Sequence, residues 1–177
     1  NKETIYSDLI EIKKLNKVSK MEQLEKICLI QNVAYINLSE NYPKKPKHIL
    51  YYKTDTHWNE YAGYYGYTSI LESINKKRNT NYIPISIDNY SIIETNEIVG
   101  DLNEIRGRVK DEKKVDLKAL KQFESYKAEE KLTIPKGYPN DPKSYERRFK
   151  TPGKPLKVMV LCDSFGGYFV KFLKEHF

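Results

Sequence analysis

Cysteine is nearly absent from this chain: only Cys28 and Cys162 occur among 177 residues. Two thiols with no CxxC or CxxH neighbour exclude a disulfide framework and give no structural zinc pattern. No stretch approaches the roughly 18 apolar residues of a membrane span, and no signal peptide opens the chain. The first residue is Asn1 rather than Met, so the chain reads as a mature or excised piece and the missing leader says little about compartment. Histidine is scarce, with three residues, and there is one Trp. Tyr is plentiful, 15 against 6 Phe. Its apolar body and polar tip suit half-buried surfaces and binding grooves; an AT-rich genome, which also favours Lys, Asn and Ile, would produce the same surplus. A hydrophobic content of 39% is enough for a core. The net charge of +7 is carried by lysines scattered among Glu and Asp. Without a basic aromatic recognition motif, these read as solvated surface, and no nucleic-acid partner is expected.

The first third alternates helical and strand-like text. Ser19 is placed to cap a helix over 19–28, with Met21, Leu24 and Ile27 or Cys28 at helical spacing and Asn32 as its stop. Residues 33–38 then read as a short buried strand, and a helix followed by a strand through a tight turn is the pattern of a parallel α/β sheet. Residues 41–48, with two prolines and three lysines, read as a surface loop, and 49–53 as a second strand. From Asn59 the text turns helical until about Lys76, with Gly63 and Gly66 allowing another element to approach closely. Residues 81–110 look rich in strands and turns. Residues 111–155, dense in charge and proline, read as an irregular insertion or arm, with one short helix near Leu117–Phe123. Residues 157–161, KVMVL, have the composition of a buried strand, and an amphipathic helix follows with Phe165, Phe169 and Phe172 or Leu173 inward.

Ser164 stands where that strand gives way to a helix, a junction that projects side chains over the ligand edge of an open α/β sheet. Unpaired N–H groups at a helix start suit a developing oxyanion. The plainer alternative is that Asp163 or Ser164 is simply an N-cap. A serine nucleophile needs a base. His176, twelve residues further along what reads as the same helix, would lie about 18 Å away and cannot reach. His48 follows a Lys/Pro loop with no acidic residue close in sequence. His57 lies two residues after Asp55, so both side chains point to one side of an extended or turn segment. There the carboxylate can hold Nδ1–H and leave Nε2 free to take a serine proton. The alternative here is Asp55 capping the next helix, with His57 a polar neighbour of Trp58. Metal ligation by Asp55 and His57 is a weaker reading, since no other His or Cys has helpful spacing; no metal or other cofactor is expected.

TDTHWN at 54–59, GDL at 100–102 and DSFGG at 163–167, in that order, resemble the alginate O-acetyltransferase group of SGNH-hydrolase-like proteins. NKETIY at the start and KPLKVMVLCDSF near the end resemble segments around that family's core strands, with 103–150 poorly matched. The resemblance implies an SGNH-hydrolase-like three-layer α/β fold with a central, mostly parallel sheet. Residues 1–177 would form one such domain, truncated at its ends, with 111–155 an irregular insertion in it. It implies that Ser164 takes an acetyl group and passes it to a hydroxyl of an extracellular or cell-wall polysaccharide, with His57 as base and Asp55 as its partner. Ser164 N–H and Gly100 are the implied oxyanion donors, with Trp58, Tyr61 and Asp163 as further oxyanion or substrate-binding candidates. It also implies an extracytoplasmic location, membrane association through a segment absent from this chain, and a membrane-bound O-acyltransferase delivering the acetyl group. Two departures accompany the match. Cys162 stands where the family has Gly, and the family's sheet continues past the serine helix, whereas this sequence stops at Phe177. An acetylesterase using the same three residues and a catalytically silent carbohydrate-binding or scaffold module remain as rivals.

Overall fold

The computed structural model describes residues 18–96, 100–102, 112–127 and 148–177. Helix α1 (Lys20–Ile30) starts as its sequence dictates. Ser19 Oγ accepts from Glu22 N–H and Glu22 Oε2 accepts from Ser19 N–H, a reciprocal cap that satisfies two otherwise orphaned donors. The chain leaves it through Asn32 in the left-handed region (φ 53°). None of its residues is buried.

Helix α2 (Glu60–Arg78) is the organising element. Asn59 caps it by accepting from Ala62 N–H at 2.9 Å, and Asn79, at φ 53°, ends it. The two glycines do what their spacing suggests. A Cβ on Gly63 would meet the Tyr168 carbonyl oxygen at 2.6 Å, and one on Gly66 would meet the Trp58 ring at 3.2 Å. Helix α3 (Gly167–Leu173), continued by a 3₁₀ turn Lys174–His176, therefore packs directly on α2. The shared core is aromatic. Phe172, fully buried, sits among the rings of Tyr64, Tyr67 and Tyr90 at centroid distances of 5.3 to 5.6 Å. Among the described residues six tyrosines are buried, so much of the surplus builds the interior instead of lining a groove.

Strands β1 (Tyr90–Thr95) and β2 (Lys114–Ala119) pair antiparallel, and β3 (Tyr126–Lys127) pairs antiparallel with β4 (Phe149–Lys150). The short helix expected near Leu117–Phe123 is thus replaced by β2, whose alternation puts Val115 and Leu117 inward. The other edge of β2 is satisfied by side chains. Tyr52 Oη accepts from Val115 N–H, Glu60 Oε2 accepts from Leu117 N–H, and Lys171 Nζ donates to Leu117 O at 3.0 Å. Lys171 also pairs with Glu60 at 2.7 Å, so one charged clasp joins α2, α3 and β2.

Every named strand pairing among the described residues is antiparallel, so the parallel sheet expected from the sequence is not among them. Residues 33–37 belong to no strand: Val33 N–H donates to the Cys28 carbonyl at 2.8 Å, the Asn37 carbonyl accepts from Glu40 N–H, and Leu38–Asn41 is a 3₁₀ turn. Residues 49–53 contribute buried Leu50, Tyr51 and Tyr52 and a single bridge from Tyr51 to Trp58. Residues 157–161 form no strand, and Met159 and Leu161 are over four-fifths exposed. Composition marks a segment as extended and apolar, but strand formation also needs a partner for its N–H and C=O groups. No helix of the described residues is long and apolar enough to cross a membrane.

His176 closes the core's far end. Ile85 N–H donates to Tyr67 Oη, and the hydroxyl lies 2.6 Å from His176 Nε2, which makes the neutral imidazole the acceptor. Burial holds its pKa below the ordinary 6.5, helped by the Lys154 charge and opposed by Glu175. The unfolded chain therefore binds the proton more readily than the folded one. Stability should decline as pH falls below about 6.5, with the loss ending once pH passes the lower folded-state value. Denaturant midpoints at pH 7.5 and 5.5 check this. The difference between them should shrink in His176→Gln, and an unaltered difference would assign it to other groups.

Candidate active site

The segment 54–57 is held from two sides. On the buried side Glu112 accepts from Lys53 N–H, from Thr54 N–H at 2.9 Å and from Thr54 Oγ1 at 2.5 Å. On the exposed side Thr56 N–H donates to Asp101 Oδ1 at 2.9 Å and Thr56 Oγ1 to Asp101 Oδ2 at 2.5 Å. Gly100, at φ 114°, lies so close that a Cβ would run into the Thr54 carbonyl, and Leu102 N–H donates to that carbonyl at 2.9 Å.

Within this cradle Asp55 Oδ1 accepts from His57 N–H at 2.8 Å and lies 2.7 Å from His57 Nδ1. Two residues of separation let one carboxylate oxygen satisfy both the backbone and the ring of the same histidine. The opposite ring nitrogen, Nε2, lies 2.6 Å from Ser164 Oγ, across 107 residues of sequence. With Nδ1–H donated to the carboxylate, Nε2 is the basic nitrogen and faces the hydroxyl, the arrangement that lets an imidazole take a serine proton. Asp55 and His57 side chains are 13% and 21% exposed, whereas Ser164 is open to solvent. The Asp55–His57 dyad is thus half-buried and the serine beside it exposed.

The serine turn is built locally. Asp163 caps it by accepting from Phe165 N–H at 3.0 Å, so Asp163 is indeed an N-cap. Ser164 opens the 3₁₀ turn Ser164–Gly166 ahead of α3, and no described hydrogen bond uses its N–H. Cys162 packs against Gly166, where a Cβ would collide with its sulfur. A cysteine at 162 is thus accommodated by the glycine four residues on. Phe165 lies against the His57 ring at 4.6 Å, and Trp58 Nε1 donates to the Phe165 carbonyl at 3.0 Å.

Trp58 is therefore a buried strut between the histidine segment and the serine turn, with its ring in the core, and it is not available to stack on a sugar. Gly100 lies beside Thr54 and Asp55, where close approach of the backbone accounts for it. Tyr61 contacts His48 and Tyr65 and, with Tyr65, Lys45 and Lys47, lines a groove of about 340 Å3 whose lining does not include Ser164. His48 finds its acid across space, with Nδ1 3.0 Å from Glu94. Sequence reasoning missed the use of Asp101. Its place in the GDL stretch was visible, but nothing local says that it meets Thr56. Asp55, His57 and Asp101 lie within 4.8 Å of one another, close enough to hold a cation, yet their polar atoms are engaged in the hydrogen bonds above. Beside them, burial raises the pKa of the Tyr168 hydroxyl, reinforced by the Asp55 charge, so it stays neutral.

Residues 1–177 match the family described as SGNH hydrolase-like domain, acetyltransferase AlgX. The chain belongs to that family. A solved structure, the O-acetyltransferase domain of Pseudomonas putida AlgJ, is similar at 16% identity with a TM-score of 0.43. The similarity covers 70% of this chain and 48% of that one, so the chain spans about half the length of its structural relative. No curated protein matches the sequence. Membership in this acetyltransferase-related family agrees with the alginate O-acetyltransferase resemblance drawn from DTHW and DSF, and with an α/β domain.

Proposed function

We propose that this domain transfers acetyl groups onto a polysaccharide hydroxyl through an acetyl-Ser164 intermediate. The observation that carries the reading is the relay from Asp55 through His57 to Ser164, with contacts of 2.7 and 2.6 Å. In the first half, Ser164 Oγ attacks the carbonyl carbon of an acetyl donor while His57 Nε2 takes its proton. The carbonyl oxygen develops negative charge, for which the Ser164 N–H is a suitable donor. The C–O bond to the donor's leaving group breaks, and His57 returns the proton to it. In the second half a sugar hydroxyl attacks acetyl-Ser164, His57 takes that proton, and Ser164 leaves as the restored alcohol.

The partners in this reading are an extracellular or cell-wall polysaccharide and a membrane-bound O-acyltransferase that delivers the acetyl group; the domain works outside the cytoplasm, beside the membrane. A net charge of +7 suits an acidic polymer. The groove at Lys45, Lys47 and Tyr65 suits a sugar chain, with lysines for carboxylates and the half-buried Tyr65 ring for the apolar face of a pyranose, while buried Tyr61 forms its floor. The finer architecture belongs to the same proposal: in a parallel SGNH-like sheet, residues 157–161 would supply the strand that leads into the serine turn.

The test is incubation with an activated acetyl ester, with and without an acceptor oligosaccharide, followed by intact mass and free acetate. The reading expects one acetyl added to the wild type, none to Ser164→Ala, and transfer to sugar when acceptor is present. Acetate release that ignores every sugar acceptor would mark an esterase. A wild type that never acquires acetyl would mark a silent binding module.

A further inference from the structure

Glycine, aspartate and leucine at 100–102 close together on the segment that carries Asp55 and His57. Gly100 presses on the Thr54 carbonyl, Leu102 N–H bonds to it, and between them Asp101 takes both donors of Thr56. Thr56 is the residue between the two members of the dyad. Its peptide plane sets the angle at which Asp55 and His57 face each other, and its N–H is pinned by one carboxylate while His57 N–H is pinned by the other. We propose that Asp101 is a positioning residue for the reaction, acting through Thr56 to hold His57 Nε2 on Ser164 Oγ. The inference rests on the acyl-transfer reading of Ser164.

Two observations separate this role from ordinary structural support. First, the two acidic residues that hold the segment differ in burial. Glu112 is buried and bonds to Lys53 and Thr54, so it belongs to the fold. Asp101 is exposed, and its carboxylate bonds to the residue between Asp55 and His57. An exposed carboxylate competes with water for its partners, so its two bonds add little to global stability. Their effect is geometric. Second, Thr56 Oγ1 lies 3.4 Å from His57 Nδ1, near enough to offer that nitrogen an acceptor other than Asp55. Donation to Asp101 fixes the hydroxyl in its present orientation and keeps Nδ1–H on the short bond to Asp55. The carboxylate is also held charged: the Thr56 hydroxyl bond, above all, lowers the pKa of Asp101.

A displacement of about 1 Å at a reacting group can cost 100-fold in rate, and loss of an outer residue that orients a functional histidine in metal sites costs 10- to 100-fold. Asp101→Ala should therefore slow acetylation of Ser164 by about 10- to 100-fold through kcat, with KM for the ester and the melting temperature near wild type. The downfield proton resonance of His57 Nδ1–H should broaden or exchange faster with water. Asp101→Asn, which keeps an acceptor for Thr56 N–H, should recover part of both. Thr56→Val, which removes only the hydroxyl bond, should give a several-fold loss and carries the test if Asp101→Ala fails to fold. An unchanged rate and an unchanged resonance in these variants would overturn the proposal. So would a loss of rate matched by an equal loss of folded protein. If the wild type takes no acetyl, the acyl-transfer reading fails by itself, and the Nδ1–H resonance still reports whether Asp101 positions His57.

Discussion

His57→Ala should slow the formation of acetyl-Ser164 by about 100- to 10,000-fold, as expected for loss of a positioned general base. At neutral pH a serine hydroxyl is a poor nucleophile, and in the proposed reaction its activation depends on the 2.6 Å contact with Nε2. With Asp55 accepting Nδ1–H at 2.7 Å, the neutral ring carries its lone pair on Nε2. Asp55→Asn should fall in the same range, because an amide can present its N–H to Nδ1 and turn the proton onto Nε2, the wrong tautomer. Binding of the ester should change little in either variant, so the loss should lie in kcat. Single-turnover acetylation followed by intact mass measures it. A His57→Ala protein that acetylates at the wild-type rate would remove histidine from the mechanism and leave the Asp55–His57 pair as a structural device.

Gly100→Ala should be the most destabilising glycine substitution among the described residues. At φ 114° a side chain meets strain of about 1–3 kcal/mol. The new methyl group would also run into the Thr54 carbonyl, a backbone group that cannot rotate away as a side-chain tip does. Relief requires residues 100–102 to separate from 54–56, and overpacking of that kind typically costs about 1–3 kcal/mol more. Gly153 supplies the control: its φ is 72°, but nothing lies within 4 Å of where its Cβ would stand, so Gly153→Ala carries the strain alone. Urea unfolding of the two variants should show Gly100→Ala losing about 2 kcal/mol or more beyond Gly153→Ala. Equal losses would show that the Thr54 contact gives way freely. Because Thr54 precedes Asp55, Gly100→Ala should also lose acetylation activity in the fraction that stays folded.

Much of the candidate site was legible because its signals are local. Asp55 and His57 are two residues apart, Asp163 and Phe165 likewise, and such spacings translate directly into hydrogen bonds. Helices α1 and α2 were legible for the same reason: Ser19 and Asn59 are side-chain caps acting within three residues. The failures share a cause as well. Residues 33–38 and 157–161 have strand composition but form no named strand, whereas 114–119, dense in charge, became β2. Pairing depends on a partner far along the chain. β2 found one in β1, and it found side chains of Tyr52, Glu60 and Lys171 for its other edge. Trp58 was misjudged by the same limit: an aromatic beside a candidate histidine looks like a sugar platform until the ring is seen packed beneath Gly66.

The sequence by itself determined the chemistry on offer: one histidine with an acid at the right spacing, one serine at the turn that opens α3, and glycines where elements must meet closely. It also determined the family, which matches over residues 1–177. Only the tertiary structure decided that Ser164 and His57 meet across 107 residues, that Trp58 ties their two turns together, and that Asp101 grips the residue between Asp55 and His57. These are contacts between segments distant in sequence. Their energy comes from packing α3 onto α2 around Phe172, and no local propensity encodes which turn that packing brings against which.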